Sequence, residues 1–461
     1  MGKYYATTAI DYTNDVIHIG HAYQKILADV LARYHRQIGD KTFFLTGTDE
    51  HGTTNEQAAK AAGKDPQTFV DEISAKDREQ IDSLNINYDR FIRTTDPDHK
   101  KLVKEFYLKV KKNGDIYKGV YKGLYCVGCE SYKTDSEIID GKCPLHPTRE
   151  LQQIEEENYF FAWSKYEDFL RKLIKENPGF VQPEARRNEM LAFLDQGLRD
   201  IAISRQKDKV SWGIPIPDDP EHVNYVWFDA LINYISGAPD FWPADVHILG
   251  KDNVRWHALL WPAMLKSAGY ELPKTIFGHG FATIDGQKIS KSLGNVIRPT
   301  DLVKEFGVDG TRYYFLRFGP LEEDTDIKLS SIKESYNADL ANNLGNLVAR
   351  VAKLSQNVGV SAPGAKQTEF DSEAVKHLKA YQFNLALQTI WSWVDSLNKK
   401  IDTEKLWEET ETKKAVLGEI IEEIQKIAFN LKPFLPETSE KIGKQFAGKI
   451  HTSEPLFPRI V

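Results

Sequence analysis

Residues 14–30 read NDVIHIGHAYQKILADV. Two histidines, His18 and His21, stand either side of Ile19 and Gly20, and Ile26, Leu27, Val30, Leu31 and Tyr34 then recur at helical spacing. A strand-like stretch precedes them, KYYATTAI at 3–10, and another follows, KTFFLTG at 41–47. The first 46 residues therefore read strand, loop, helix, strand: a βαβ unit with a right-handed crossover. Ligands bind in loops at the carboxyl ends of such strands, and His18 to His21 occupy the first of these loops. A helix start offers unpaired backbone N–H groups and partial positive charge, so phosphate binds there readily. Gly20 lets the backbone approach a nucleotide, and the imidazoles add donors. Taken alone, the tetrapeptide reads more simply as two surface or capping histidines.

The chain has 461 residues, enough for about three domains. Its 41% hydrophobic and 28% charged residues are ordinary for a globular protein. No apolar run reaches the roughly 20 residues of a membrane span, and MGKYYATTAI lacks the layout of a signal peptide. Three cysteines argue against a disulfide scaffold and for a reducing, cytoplasmic compartment. A net charge of -7 argues against a general polyanion coat. One lysine-rich stretch, 100–122, reads either as a local basic patch or, more simply, as a solvated helix face.

Strand-like text resumes at HVNYVWFDA, DVHILG and TIFGHGFATI, after a stretch of short segments, Gly and Cys. The helical WHALLWPAMLKSAG closes on Gly269, and beyond about 330 the text is helical almost throughout. The expected organisation is an α/β Rossmann-type domain with a parallel sheet (1–116 and 222–330), an inserted subdomain (117–221) and an all-α bundle (331–461).

A second stretch, DGQKISKSLGN at 285–295, sets Lys288 and Lys291 three apart in a loop with Ser290, Ser292 and Gly294. Two ammonium groups on such a loop suit a triphosphate held during displacement. HIGH near the N-terminus with KISKS about 270 residues later resembles the class I aminoacyl-tRNA synthetases. TNDVIHIGHAY, FLTGTDEHG, YVWFDALINY, LGKD, WPAML and DGQKISKSLGN narrow the resemblance to the methionyl-tRNA synthetases, over essentially the whole chain.

That resemblance implies a methionine–tRNA ligase using L-methionine, ATP with Mg2+, and tRNA(Met), initiator included. It implies that His18 and His21 hold phosphate oxygens, that Lys288 and Lys291 embrace the β- and γ-phosphates, and that Asn14 and Gly20 line the nucleotide. Gly250, Lys251 and Asp252 match the family's adenosine-binding GKD. Asp49 would pair with the substrate ammonium, and Ala9, Ile10, Tyr12, Trp227, Ala230, Leu231, Tyr234 and His257 would line the side-chain pocket. An aromatic, adaptable slot suits methionine, and a hydroxyl or ring N–H from Tyr234 or His257 touching sulfur would sharpen the choice. In the bundle, Asn346, Arg350 and Trp407 would meet the anticodon, Trp407 by stacking. Three departures from the family pattern stand out: Asp11 for an aromatic residue or proline, Asn253 for an aliphatic residue, and Leu406 for proline.

Cys126, Cys129, Cys143 and His146 follow C-x2-C-x13-C-x2-H. Two such knuckles make a tetrahedral Cys3His set for one Zn2+. No ligand position is left open, so the metal is expected to be structural, replacing the core so small a subdomain lacks. Two other readings are a non-catalytic synthetase-like scaffold and a class I ligase for another amino acid. The first is disfavoured by the presence of both histidines, Lys291 and Asp49. Against the second, no cysteine lies beside the first motif, and 461 residues leave no room for a large editing insertion. With no appended dimerising domain, a monomer is expected.

Overall fold

The computed structural model of the chain describes residues 2–129, 131–133, 138–144, 146–289, 294–362, 369–408 and 412–461. The chain divides into two compact units: Met1–Ile17 with Asp40–Glu79 and Tyr88–His279, and His18–Gly39 with Gln80–Asn87 and Gly280–Val461.

The first unit is organised by a parallel sheet. Lys3–Thr8 pairs with Lys41–Asp49 on one side and Val246–Gly250 on the other. Arg90–Arg93 lies outside Lys41–Asp49, and Thr275–His279 outside Val246–Gly250. A two-residue strand, Asp11–Tyr12, pairs with Thr48 and Asp49. Strands buried on both faces read as continuous apolar or small-residue runs, and Phe44 to Asp49 is buried throughout. The first chain crossover leads from the central strand to one side, whereas Val246–Gly250 lies on the other. The switch of direction falls beside Lys3–Thr8, where such sheets leave a crevice.

Two readings need correction. HVN ends a strand, Asp219–Asn224, in a separate antiparallel sheet, but VWFDA is a helical turn, Val226–Ala230. Trp227, Ala230, Leu231 and Tyr234 are spaced by three, one and three, so the run follows a helical face rather than an alternating one. Nor does the stretch after 117 merely interrupt the main sheet. It forms its own four-stranded sheet from Ser131–Lys133, Ile116–Cys126, Gln152–Phe161 and Ile201–Ala202, yet Val181–Gln182 returns to extend the parallel sheet beside Thr275–His279.

The second unit holds helix Ile19–Gln37 and a small sheet of Ala282–Ile284, Gln287–Lys288 and Thr325–Asp326. Helices then follow from Pro299–Phe318 to Pro436–Gln445. Its buried polar centre is Arg312, whose guanidinium lies 2.8 Å from Asp29 and donates to the carbonyls of Leu84, Pro433 and Phe434. Both side chains are fully buried. Desolvation lowers the Arg312 pKa, opposed by Asp29. No helix among the described residues is long and apolar enough to cross a membrane.

Candidate active site, metal site and bundle residues

Three strands of the parallel sheet deliver residues to one end. Ala9 and Ile10 follow Lys3–Thr8, Asp49 closes Lys41–Asp49, and Gly250 closes Val246–Gly250, with Lys251 and Asp252 in the next tight turn. The Ala9 N–H donates to Ile248 and the Thr13 N–H to Asp49, so the crossing segment is laced to strands on both sides. Asp49 is buried and faces Tyr12 across the pairing. The Tyr12 ring meets Trp227 edge-on at 6.5 Å, and Trp227 stacks on Trp256 at 4.8 Å. Ala230, Leu231, Tyr234 and His257 are buried.

Sequence reasoning missed Trp256. It begins a π-helical turn, Trp256–Leu260. Such turns re-aim side chains off the regular helical period, and they recur at functional sites. No local period announces one.

The protons of the pocket can be assigned. The Asn253 carbonyl can only accept, so His257 donates to it from Nδ1 at 2.9 Å. His257 Nε2 is then the acceptor for the Tyr234 hydroxyl at 2.7 Å. Burial pulls the His257 pKa down to about 4, so this neutral tautomer holds at physiological pH. Burial, with Asp49 and Asp11 nearby, pushes the Tyr234 hydroxyl well above the usual tyrosine value. The donors expected to face a sulfur are thus both engaged within the protein. The Asn253 departure acts on His257 through backbone alone, and an aliphatic residue would offer the same carbonyl. Asp11 is buried and close enough to influence Tyr234.

In the second unit, the tetrapeptide builds a helix start. His18 is the N-cap of helix Ile19–Gln37, and its Nδ1 accepts from the Gly20 N–H at 3.1 Å. His21 Nδ1 accepts in turn from the His18 N–H at 3.3 Å. The rings lie 3.9 Å apart, and each neutral ring carries its proton on Nε2. A Cβ at residue 20 would come within 2.9 Å of the His18 ring, so only glycine admits this fold-over. That same point is 3.9 Å from Ile289, the isoleucine of KISKS, and the Ile19 N–H donates to Ile297. Motifs 270 residues apart in sequence are thus neighbours. Lys288 lies in strand Gln287–Lys288 paired to Thr283, while Lys291 lies outside the described residues.

The family model described as tRNA synthetases class I (M) matches residues 4–154 and 148–352. The chain belongs to the methionyl-tRNA synthetase family. It is 45% identical over 474 residues to a methionine–tRNA ligase of Thermotoga maritima, covering 96% of this chain and 75% of the relative. A methionine–tRNA ligase of Nostoc is 40% identical, with 97% and 90% covered. A solved Mycobacterium tuberculosis methionyl-tRNA synthetase in complex with methionyl-adenylate superposes with a TM-score of 0.91 at 36% identity, covering all of both chains.

In this synthetase the four knuckle residues do meet. Ligands about 2.3 Å from a tetrahedral ion stand roughly 3.8 Å apart. Cys126 Sγ is 3.8 Å from His146 Nδ1, Cys129 Sγ is 3.5 Å from Cys143 Sγ and 3.2 Å from His146 Nδ1, and all four ligand atoms lie within 4.8 Å of one another. Gly128 makes this possible, since a Cβ there would strike the His146 ring at 2.6 Å. The set fits one metal ion.

The bundle residues of the synthetase also converge in part. The Arg350 guanidinium lies 5.8 Å from the Trp407 ring centre and pairs with Asp402 at 2.6 Å. Trp407 is 52% exposed, unusual for so large an apolar side chain. Asn346 is exposed at the start of helix Asn346–Val358. The Leu406 departure has a clear structural consequence. Lys405 adopts a left-handed conformation after helix Phe383–Thr403 and donates to Asp402, and the Leu406 N–H donates to Ile401. This is a Schellman ending with Leu406 and Ile401 both buried; proline has no N–H to make it.

Four of the eight lysines of 100–122 are closely engaged within the synthetase. Lys111 pairs with Asp218, Lys118 with Glu157 and Asp219, Lys122 with Glu155, and Lys109 donates to Tyr270.

Proposed function

We propose that this chain activates L-methionine and charges tRNA(Met), initiator included. A methionine carboxylate oxygen attacks the α-phosphorus of ATP, the bond from that phosphorus to the bridging oxygen breaks, and pyrophosphate leaves. The terminal adenosine hydroxyl of tRNA then attacks the carbonyl carbon, and AMP leaves. Neither step needs a side-chain nucleophile, so positioning and charge stabilisation carry the catalysis.

The observation that supports this reading is that Asp49, at the carboxyl end of a parallel strand, faces Tyr12, which meets Trp227, while Tyr234 and His257 are hydrogen-bonded, in a chain of this family. Asp49 receives the ammonium, and Ala9, Ile10, Ala230 and Leu231 complete the wall. Gly250, Lys251, Asp252 and Asn14 take the nucleoside. His18 and His21, with Gly20 between, donate to phosphate oxygens, which the tautomers assigned above support. Lys288 and Lys291 neutralise the β- and γ-phosphates. Mg2+ bound with ATP would add charge neutralisation there.

Residues 1–116 and 222–330 serve catalysis, 117–221 the metal-bearing insertion, and 331–461 anticodon reading by Asn346, Arg350 and Trp407. Zn2+ is the ion that the sulfur-rich tetrahedral set fits best, and it would close the knuckle as a structural element. The protein acts as a cytoplasmic monomer.

ATP–pyrophosphate exchange with each amino acid in turn is the test. Strongest exchange with methionine, falling steeply in Lys291→Ala, is the expected result. Exchange strongest with another amino acid, or with none, overturns the reading.

A further inference from the structure

Between Trp227 and Ala230 lies Asp229, a fully buried carboxylate that no step above uses. One oxygen is 2.7 Å from His51 Nδ1 and the other 2.7 Å from His99 Nε2. His99 Nδ1 is 2.8 Å from the Ser236 hydroxyl. Both histidines are buried. Burial works to raise the Asp229 pKa, but the two imidazoles outweigh it and hold the group at about 2.

The sequence positions of these residues are informative. His51 lies two residues beyond Asp49, and Asn55 fastens that turn by donating to the carbonyls of both. Asp229 belongs to the turn bearing Trp227, and Ser236 to the next turn, Asn233–Ser236, bearing Tyr234. His99 comes from the first turns of helix Pro97–Lys112. An ionised carboxylate without solvent is costly, and apolar residues of the same volume would often be as stable or more so. Its directional bonds, however, set where three segments stand relative to one another.

We infer that His51, Asp229 and His99 form a positioning clamp for methionine, locking the Asp49 turn to the turns of Trp227 and Tyr234. The inference rests on the methionine-activating reading. It assigns the clamp an effect on the amino-acid site and not on ATP binding.

The test is steady-state exchange with the full chain bearing His51→Gln or Asp229→Asn. Glutamine keeps a donor for Asp229 but not the ring's reach; asparagine sets an NH2 against one imidazole N–H. The expected result is a methionine KM raised about ten-fold with an ATP KM changed by less than about two-fold, Asp229→Asn being the more severe. Selectivity for methionine over leucine should fall with it. If Asp229→Asn fails to fold, as read by circular dichroism, the milder His51→Gln decides. Folded variants whose two KM values are unchanged, or rise together, overturn the clamp. Wild-type protein inactive with methionine would instead overturn the underlying reading.

Discussion

The Tyr234 hydroxyl donates to His257 Nε2 at 2.7 Å, and His257 passes the constraint to the Asn253 carbonyl at 2.9 Å. Removing the hydroxyl in Tyr234→Phe would strand a buried acceptor at a cost of about 1–3 kcal/mol. Exchange kinetics should show a raised methionine KM. Because burial holds His257 neutral down to about pH 4, the wild-type profile should carry no histidine inflection from this residue between pH 6 and 7.

Asp309 is raised to about 6 by burial in helix Pro299–Phe318, where it accepts from the Thr438 N–H at 2.6 Å. A carboxyl whose folded pKa is raised binds its proton more readily in the native state. Stability therefore falls as pH rises between the ordinary value near 4 and about 6, and the penalty is complete above that. Asp309→Asn keeps an acceptor without the charge. Denaturant titration should show it stabilised on the order of 2 kcal/mol at pH 8 and by little at pH 4.

The knuckle should hold one ion per chain. Purified protein assayed by elemental analysis should contain zinc, and Cys143→Ser or His146→Ala should lose it. A strong chelator should leave the three thiols, free of disulfides here, open to a thiol reagent. Unchanged metal content in both variants would contradict the assignment.

Trp407 should matter to RNA alone. Base stacking contributes about 1–3 kcal/mol per base, so Trp407→Ala should lower kcat/KM for tRNA charging about ten- to hundred-fold while leaving ATP–pyrophosphate exchange intact. Arg350, over the same ring, should behave similarly but more weakly.

Breaking the Arg312–Asp29 pair leaves a buried carboxylate, although Arg33 still contacts it at 2.7 Å. Arg312→Met should cost about 3 kcal/mol in urea unfolding. A variant as stable as the parent would show that Arg33 and the Asn87 N–H, which donates to Asp29 at 2.8 Å, satisfy the carboxylate without Arg312.

Much of the candidate site's local structure was readable beforehand because it comes in short units of sequence. HIGH is a helix start, and CVGC and CPLH are knuckles. Asp49 and Gly250 end strands whose apolar runs announce them. VWFDA misled because so short a stretch, apolar apart from Asp229, fits strand and helix alike, and only packing chose the helix. Trp256 and the His51–Asp229–His99 set gave no signal, since their partners lie far apart in sequence.

The sequence by itself determined which residue types could do chemistry and in which local frame: the glycine that lets His18 fold over, the spacing of the thiols, the parallel strands. Only the tertiary structure decided which groups keep their protons for a ligand and which use them on one another. Hydrogen-bond donation is a property of pairs in space, and the Tyr234–His257–Asn253 chain exists only once a π-turn sets the ring against the hydroxyl.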